Sequence, residues 1–269
     1  MPFFSLVIKG VIMSVSQLIP GVSGSTIAII LGIYDRLLEA INHLWKDFRR
    51  HANVLFAVCL GAVVGIVLFA RGIQWLLEQY PVPLGLFFIG VILGGAPLMY
   101  QKSKVESKTA ARHWNWVYFL IGFIIVIIMG LEVNSSSPAI TEVSWLSALH
   151  LFVGGIVFAI ALILPGISGS FMLLVLGLYQ TLIVAAADMN VSVLIPIGLG
   201  TVAGTFLTAR IIEWLLRTYP QPAYLLILGF ILGSIFEIFP GWPTGIGQWL
   251  VSLFVFAGGF WFVWKTSKE

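Results

Sequence analysis

Uncharged apolar runs close to the length of a membrane span recur along this chain, for example at 84–100, 114–131 and 247–264. About 20 such residues, coiled as an α-helix, cross the hydrocarbon core of a bilayer. Inside lipid every backbone amide and carbonyl must be bonded within the protein, which leaves only helices or a closed barrel. A barrel reads as ten-residue segments of alternating polarity, and nothing here alternates in that way. The expected fold class is therefore an all-α polytopic membrane protein. Composition agrees, because 9% charged residues beside 59% hydrophobic ones cannot clothe a water-facing surface. Tryptophans such as Trp45, Trp114, Trp116, Trp145, Trp242 and Trp249 sit at the ends of apolar runs, where an interfacial aromatic belt belongs. A net charge of +3 is too small and too scattered to call for nucleic acid. The one cysteine, Cys59, excludes an internal disulfide and a multi-cysteine metal site. The first ten residues, MPFFSLVIKG, lack the order of a cleavable signal and are expected to stay in the mature protein.

The chain repeats itself. In the register that lays Pro20 on Pro165, Gly21, Ser23, Gly24, Ser25, Leu31, Gly32 and Tyr34 all find identical partners, and Gly10 falls on Gly155. A second block, Ala70-Arg71 through Trp75 to Tyr80-Pro81, matches Ala209-Arg210 through Trp214 to Tyr219-Pro220. Gly61, Gly65, Gly90 and Gly94 then land on Gly200, Gly204, Gly229 and Gly233. Shared apolar residues would be ordinary between membrane helices, but shared Pro, Gly, Ser, Arg and Trp positions mark duplication. The expected division is 1–133 and 134–269, the two halves forming one membrane domain.

Equivalent loops carry opposite charge. The segment 42–53 holds Lys46, Arg49 and Arg50, and 101–113 holds Lys102, Lys104, Lys108 and Arg112. Their counterparts, 186–192 and 237–247, hold no Lys or Arg. Lys/Arg-rich loops stay cytoplasmic, so the halves are expected to be inverted about an axis in the membrane plane. Spanning helices are expected near 54–79, 84–100, 114–131, 193–218, 223–239 and 247–264, with the C-terminal Lys265 and Lys268 cytoplasmic. Two further segments, 3–41 and 147–185, must each enter and leave on one face.

Each of those segments is broken at its centre, at Pro20-Gly21 and at Pro165-Gly166. Proline removes an amide donor and glycine admits positive φ, so a helix stops there. A new one starts at Ser23 or Ser168, both good N-caps. Each segment is either a re-entrant hairpin with its tip at membrane depth or a pair of full spans with a surface turn. Small hydroxyl-rich tips suit the first, because irregular backbone within a membrane needs a polar cavity. Amides at a helix start favour anions, and Ser23, Gly24, Ser25, Thr26, Ser168, Gly169 and Ser170 are the candidate anion-binding residues.

Arg71 lies eight residues before Gln79, about 12 Å below the end of its helix, and Arg210 occupies the matching place. Arginine at such depth either snorkels to the interface or faces a cavity and clamps an oxyanion. Glu213, three residues beyond Arg210, is a candidate ion-pair partner or proton-coupling carboxylate. The histidines His43, His51, His113 and His150 have no metal-ligand spacing, and no residue pattern asks for a cofactor or metal. Gly21-Val22-Ser23-Gly24 and Gly166-Ile167-Ser168-Gly169 also resemble the G-x-S-G nucleophile motif of rhomboid proteases. A serine nucleophile needs a base, however, and no helix interior holds a histidine.

The paired tips, each followed by Gly-[Ile/Leu]-Tyr, together with the two arginine blocks, closely resemble the bacterial polyprenyl-phosphate transporter family, the PopT-type undecaprenyl-phosphate translocases. The resemblance covers nearly the whole chain. It departs at Ser25, where the family usually has glycine. It implies a transporter rather than an enzyme, set in the bacterial cytoplasmic membrane. The implied substrate is undecaprenyl phosphate, returned to the inner leaflet for cell-wall synthesis by alternating access. A small-anion or ion transporter of the same architecture is the rival reading. Protons or sodium as the coupled ion, and homo-oligomer formation, stay open.

Overall fold

The structure is a computed structural model describing residues 2–19, 21–105, 115–131, 140 and 144–266. Among these residues it is helical throughout, with no strand. The first part runs α1 (Phe3–Gln17), α2 (Gly24–Ile30), α3 (Tyr34–Asn42), α4 (Phe48–Gln79), α5 (Pro81–Val105) and α6 (Trp116–Leu131). The second runs α7 (Trp145–Ile163), α8 (Gly169–Val175), α9 (Tyr179–Ala187), α10 (Val191–Thr218), α11 (Pro220–Gly233), the short α12 (Ile235–Ile238) and α13 (Ile246–Thr266). Six helices or helix pairs are long and apolar enough to cross a membrane: α4, α5, α7, α10, α11 with α12, and α13. The protein is a multi-pass membrane protein.

Five of the six expected spans are among these. The sixth, α6, is described over only 16 residues, and α7, expected as half of a broken segment, is itself 19 residues long. α4 starts at Phe48, earlier than 54, because Asp47 caps it by accepting from the Arg50 amide at 3.4 Å. Pro20, Trp114, Lys108, Arg112, His113 and Lys268, on which parts of the sequence reading rest, lie outside the described residues, as does the 133/134 division.

Four helix pairs build the body: α1 with α4, α7 with α10, α5 with α13, and α11 with α6. The glycines shared by the two blocks are the reason. A Cβ on Gly61 or Gly65 would strike Val7, Val11 or Ser14 of α1, and one on Gly200 or Gly204 would strike Phe152, Ile156 or Ala159 of α7. Gly90 and Gly94 admit Phe256 and Phe260 of α13, while Gly229 and Gly233 admit Phe119 and Phe123 of α6. Between apolar helices in lipid, close backbone approach through small residues supplies the association that water would otherwise drive. The last span of each part thus packs on a helix of the other, so the two parts interlock. α5 and α11, the most buried spans, also pack on each other at the centre.

The glycine contacts also fix register. Gly10 meets Val58, Gly61 meets Val7, and Gly65 meets Ser14, so α1 and α4 run parallel. α1 stops at Gln17, which in this register falls near Leu68. α7 and α10 run parallel likewise, and Ile163 falls near Thr208.

Candidate substrate site

Both helix breaks adopt one shape. Gly21 has φ +80° and Gly166 φ +85°, which glycine reaches without the strain a Cβ imposes. Ser23 (φ −87°, ψ 129°) and Ser168 (φ −83°, ψ 131°) follow in extended N-cap conformation. Their hydroxyls do not cap the backbone, contrary to the expectation. Ser23 Oγ lies 2.7 Å from Ser25 Oγ, and Ser168 Oγ lies 2.9 Å from Ser170 Oγ. With a hydroxyl only two residues away, each serine bonds its neighbour instead.

The two breaks touch. Ser25 Oγ donates to the Leu164 carbonyl at 3.0 Å, and Tyr34 OH donates to the Ile163 carbonyl at 3.0 Å. The Gly166 amide donates to Thr26 Oγ1 at 2.8 Å, with both groups buried. First-half side chains thereby satisfy groups that the end of α7 and the break leave without helical partners. The arrangement is not reciprocated among the described residues. Phe171 stands where Thr26 would be needed, and neither Ser170 nor Tyr179 bonds the first break.

This settles where donors are to be had. A hydroxyl has one proton. Ser25 gives its proton to Leu164, so Ser23 gives its own to Ser25. Ser168 and Ser170 share one proton between them and keep the other. The Gln17 amide and the Tyr179 hydroxyl have no partner among the described residues.

These groups surround one cavity of about 230 Å³. Its polar wall is Gln17, Ser23, Gly24, Ser168, Gly169, Ser170 and Tyr179, and its apolar wall includes Val22, Phe158, Leu162 and Leu182. Of the residues singled out from sequence, Ser23, Gly24, Ser168, Gly169 and Ser170 come together here. Ser25 and Thr26 lie behind them in the contact between the breaks. Pro165 and Gly166 are buried, with Gly166 pressed on the backbone of Phe230 and Ile231, and Gly21 packs on Glu237 and Ile238. No His, Asp, Glu or Lys lines the cavity among the described residues, so Ser23 and Ser168 have no base beside them.

Arg71 and Arg210 are not in this cavity. Both are exposed and make no ion pair among the described residues. The helix register supplies the reason. Arg71 emerges about one turn beyond the level where α1 ends, and Arg210 just beyond the level where α7 ends, so neither has a neighbour covering it. Glu213 pairs with Arg217 at 2.5 Å, not with Arg210. It also accepts from Asn42 Nδ2 at 2.5 Å. A carboxylate reaches the i+4 arginine on its own side of the helix.

Gln17 and Tyr179 were not singled out. Gln17 is a lone amide in an apolar run whose repeat partner is Leu162, so the internal comparison gave it no weight. Tyr179 was visible as the repeat of Tyr34, but the same residue type serves different ends in the two halves.

The chain matches the family described as undecaprenyl phosphate translocase-like over residues 13–251. It is 33% identical over 261 residues to the polyprenyl-phosphate transporter of Staphylococcus aureus, an alignment covering 94% of this chain and 92% of that protein. It is also 33% identical over 254 residues to the polyprenyl-phosphate transporter of Vibrio cholerae, covering 89% and 79%. No solved structure matches significantly. The family and both relatives are described as transporters or translocases, which sets aside the hydrolase reading of the serine motifs. The chain belongs to the undecaprenyl phosphate translocase-like family.

Proposed function

We propose that this protein carries a polyprenyl phosphate, with undecaprenyl phosphate as the expected species, between the leaflets of the bacterial cytoplasmic membrane. One observation carries the reading: two helix breaks from different halves meet around a single small cavity walled by serine, glutamine and tyrosine donors. A phosphomonoester needs several donors at once, and hydrogen bonds to a charged group are stronger than neutral ones. Gln17 and Ser170, at the cavity wall, are exposed on the protein surface, which would let the headgroup enter while the isoprenoid tail stays in lipid. A small-anion carrier would need a cavity closed to lipid.

On this reading the halves are inverted repeats, their breaks are re-entrant tips, and the protein works by alternating access. The parallel run of α1 with α4 and of α7 with α10 supports a chain that turns back between them. Lys102 and Lys265, in the last turns of α5 and α13, support a cytoplasmic position for those ends. Recovery of the lipid carrier from the outer leaflet for cell-wall synthesis is the corresponding role. Arg71 and Arg210 act before the cavity. Each stands on the lipid-facing side close to the level of a tip, where a cation draws a lipid phosphate toward the opening. Glu213 serves as an ion-pair partner, because Arg217 and Asn42 already occupy its oxygens.

The test is leaflet accessibility of undecaprenyl phosphate in proteoliposomes, run with and without pH and sodium gradients. Replacing Ser168→Ala and Ser170→Ala together, with Tyr179→Phe, removes the second-half hydroxyl donors and leaves the Gln17 amide in place. Losing two or three bonds to a charged group should weaken binding at least about 100-fold. Unaltered transport by the triple variant would defeat the assignment of this cavity.

A further inference from the structure

The two halves share their four main helix pairs and, besides the one-sided contact between the breaks, differ most at α3 and α9. α3 lies against α10, whereas its counterpart α9 has no comparable packing on α4 among the described residues. One side chain accounts for the difference. Asn42, the last residue of α3, donates its amide both to the Ala209 carbonyl at 2.9 Å and to Glu213 Oε2 at 2.5 Å. Ala209 and Glu213 stand one turn apart on α10, so a single amide bridges both. The other carboxylate oxygen is held by Arg217. In the repeat registers Asn42 falls on Ala187, and Glu213 falls on Gln74. An alanine cannot donate, so the second half cannot form the same link.

α3 is built for this position. Its apolar side, with Tyr34 and Leu38, is buried. Its polar side, with Asp35, Arg36 and Glu39, walls a cavity of about 720 Å³ together with Arg50 of α4, faced by Glu213 and Arg217. The Asp35–Lys102 pair at 2.6 Å ties the start of α3 to α5, and Asn42 ties its end to α10. α3 therefore spans between helices of both halves, like a bar laid across this charged end of the molecule.

We infer that Asn42 and Glu213 are gate-positioning residues of the transport cycle. Their bond holds α3 on α10 and closes the way from the charged cavity toward the serine cavity, while α9 carries no matching link to α4 among the described residues. The inference rests on the alternating-access reading above. In that cycle the barrier must pass from one end to the other, and here the passage begins by releasing one amide from one carboxylate and one carbonyl. The carboxylate is only 16% exposed, so the bond is charge-assisted and shielded.

The test reads the gate without substrate, so its failure and failure of the transport assignment are separable. In a Cys59→Ser background the full chain carries one reporter, either Leu38→Cys on α3 beside the charged cavity or Leu182→Cys on α9 at the serine cavity. Reaction with a water-soluble thiol reagent is timed in nanodiscs. Asn42→Ala should speed modification of the position-38 reporter about tenfold or more, slow that of the position-182 reporter, and lower the melting temperature by only a few degrees. Asn42→Asp, which sets a like charge against Glu213, should act in the same directions and more strongly, and Asn42→Gln should partly restore the parent rates. Unchanged rates in Asn42→Ala overturn the inference. So does a rise at both reporters with a larger fall in melting temperature, since that marks general loosening rather than a gate.

Discussion

Replacing single glycines by alanine in the broken segments should give a graded loss of stability whose order follows from what a Cβ would meet. Gly32 has φ +67° and open space around it. Alanine there bears only left-handed strain of about 1–2 kcal/mol, partly offset by about 0.4–1 kcal/mol from a stiffer unfolded chain. The net cost is about 1 kcal/mol. Gly21, with φ +80°, adds a Cβ 2.8 Å from Ile238 Cγ1 and 3.2 Å from Glu237 Cγ. These are side chains that can shift, so the cost rises modestly. Gly166, with φ +85°, would drive its Cβ into the backbone of Phe230 and Ile231, the middle of the most buried span. A helix backbone cannot step aside, and overpacking of this kind costs a further 1–3 kcal/mol or so. At about 2–4 °C per kcal/mol for a chain of this size, Gly32→Ala should lower the melting temperature by about 2–4 °C. Gly166→Ala should lower it by about 5–15 °C. The assay is thermal unfolding of detergent-solubilised protein followed by tryptophan fluorescence, with size-exclusion recovery as a second readout. Equal shifts for Gly32→Ala and Gly166→Ala would refute the reasoning, because strain alone would then explain both and the contact of the second tip with α11 would carry no energy.

Two further outcomes separate roles within the carrier. Arg71→Ala and Arg210→Ala should each raise the lipid-phosphate concentration needed for half-maximal transport by about tenfold while leaving the maximal rate near that of the parent, as capture residues outside the cavity would. A collapse of the maximal rate with unchanged half-saturation would place them at the transported phosphate instead. Glu213→Gln should alter the transport rate through the weakened α3–α10 bond but keep its pH profile, since Arg217 and Asn42 already fill both carboxylate oxygens. Loss of the pH dependence would make Glu213 a proton carrier.

Much of the fold was legible because lipid imposes it. The apolar runs became α4, α5, α10, α11 with α12, and α13, with ends within about six residues of expectation, and helices stop short of Gly21 and of Pro165-Gly166. The glycine pairs were legible as repeats but not as contacts. Gly90 and Gly94 announce a narrow helix face without saying that α13, from the far end of the chain, fills it. The side on which the arginines stand was illegible for a related reason. Val54 to Ala70 is apolar all round, so no stripe tells which side faces protein, and the end of α1 at Gln17 leaves Arg71 uncovered. Gln17 escaped because an internal comparison weighs only what both halves keep, and its partner is Leu162.

That last point has a physical side. If the halves are inverted copies, identical sequences would give the open-to-one-face and open-to-the-other states equal energy by symmetry, and neither would be preferred. The departures from the repeat fall where the structure departs from symmetry. Thr26 against Phe171 lets only the first tip bind the second through a buried amide. Asn42 against Ala187, and Glu213 against Gln74, let only α3 fasten to α10. Each link of this kind is worth about 1–3 kcal/mol when its removal strands a buried partner, and about 1.4 kcal/mol shifts a two-state ratio tenfold. On that reading the shared residues build the helix interfaces and most of the site, while these unshared links set which face the resting protein opens.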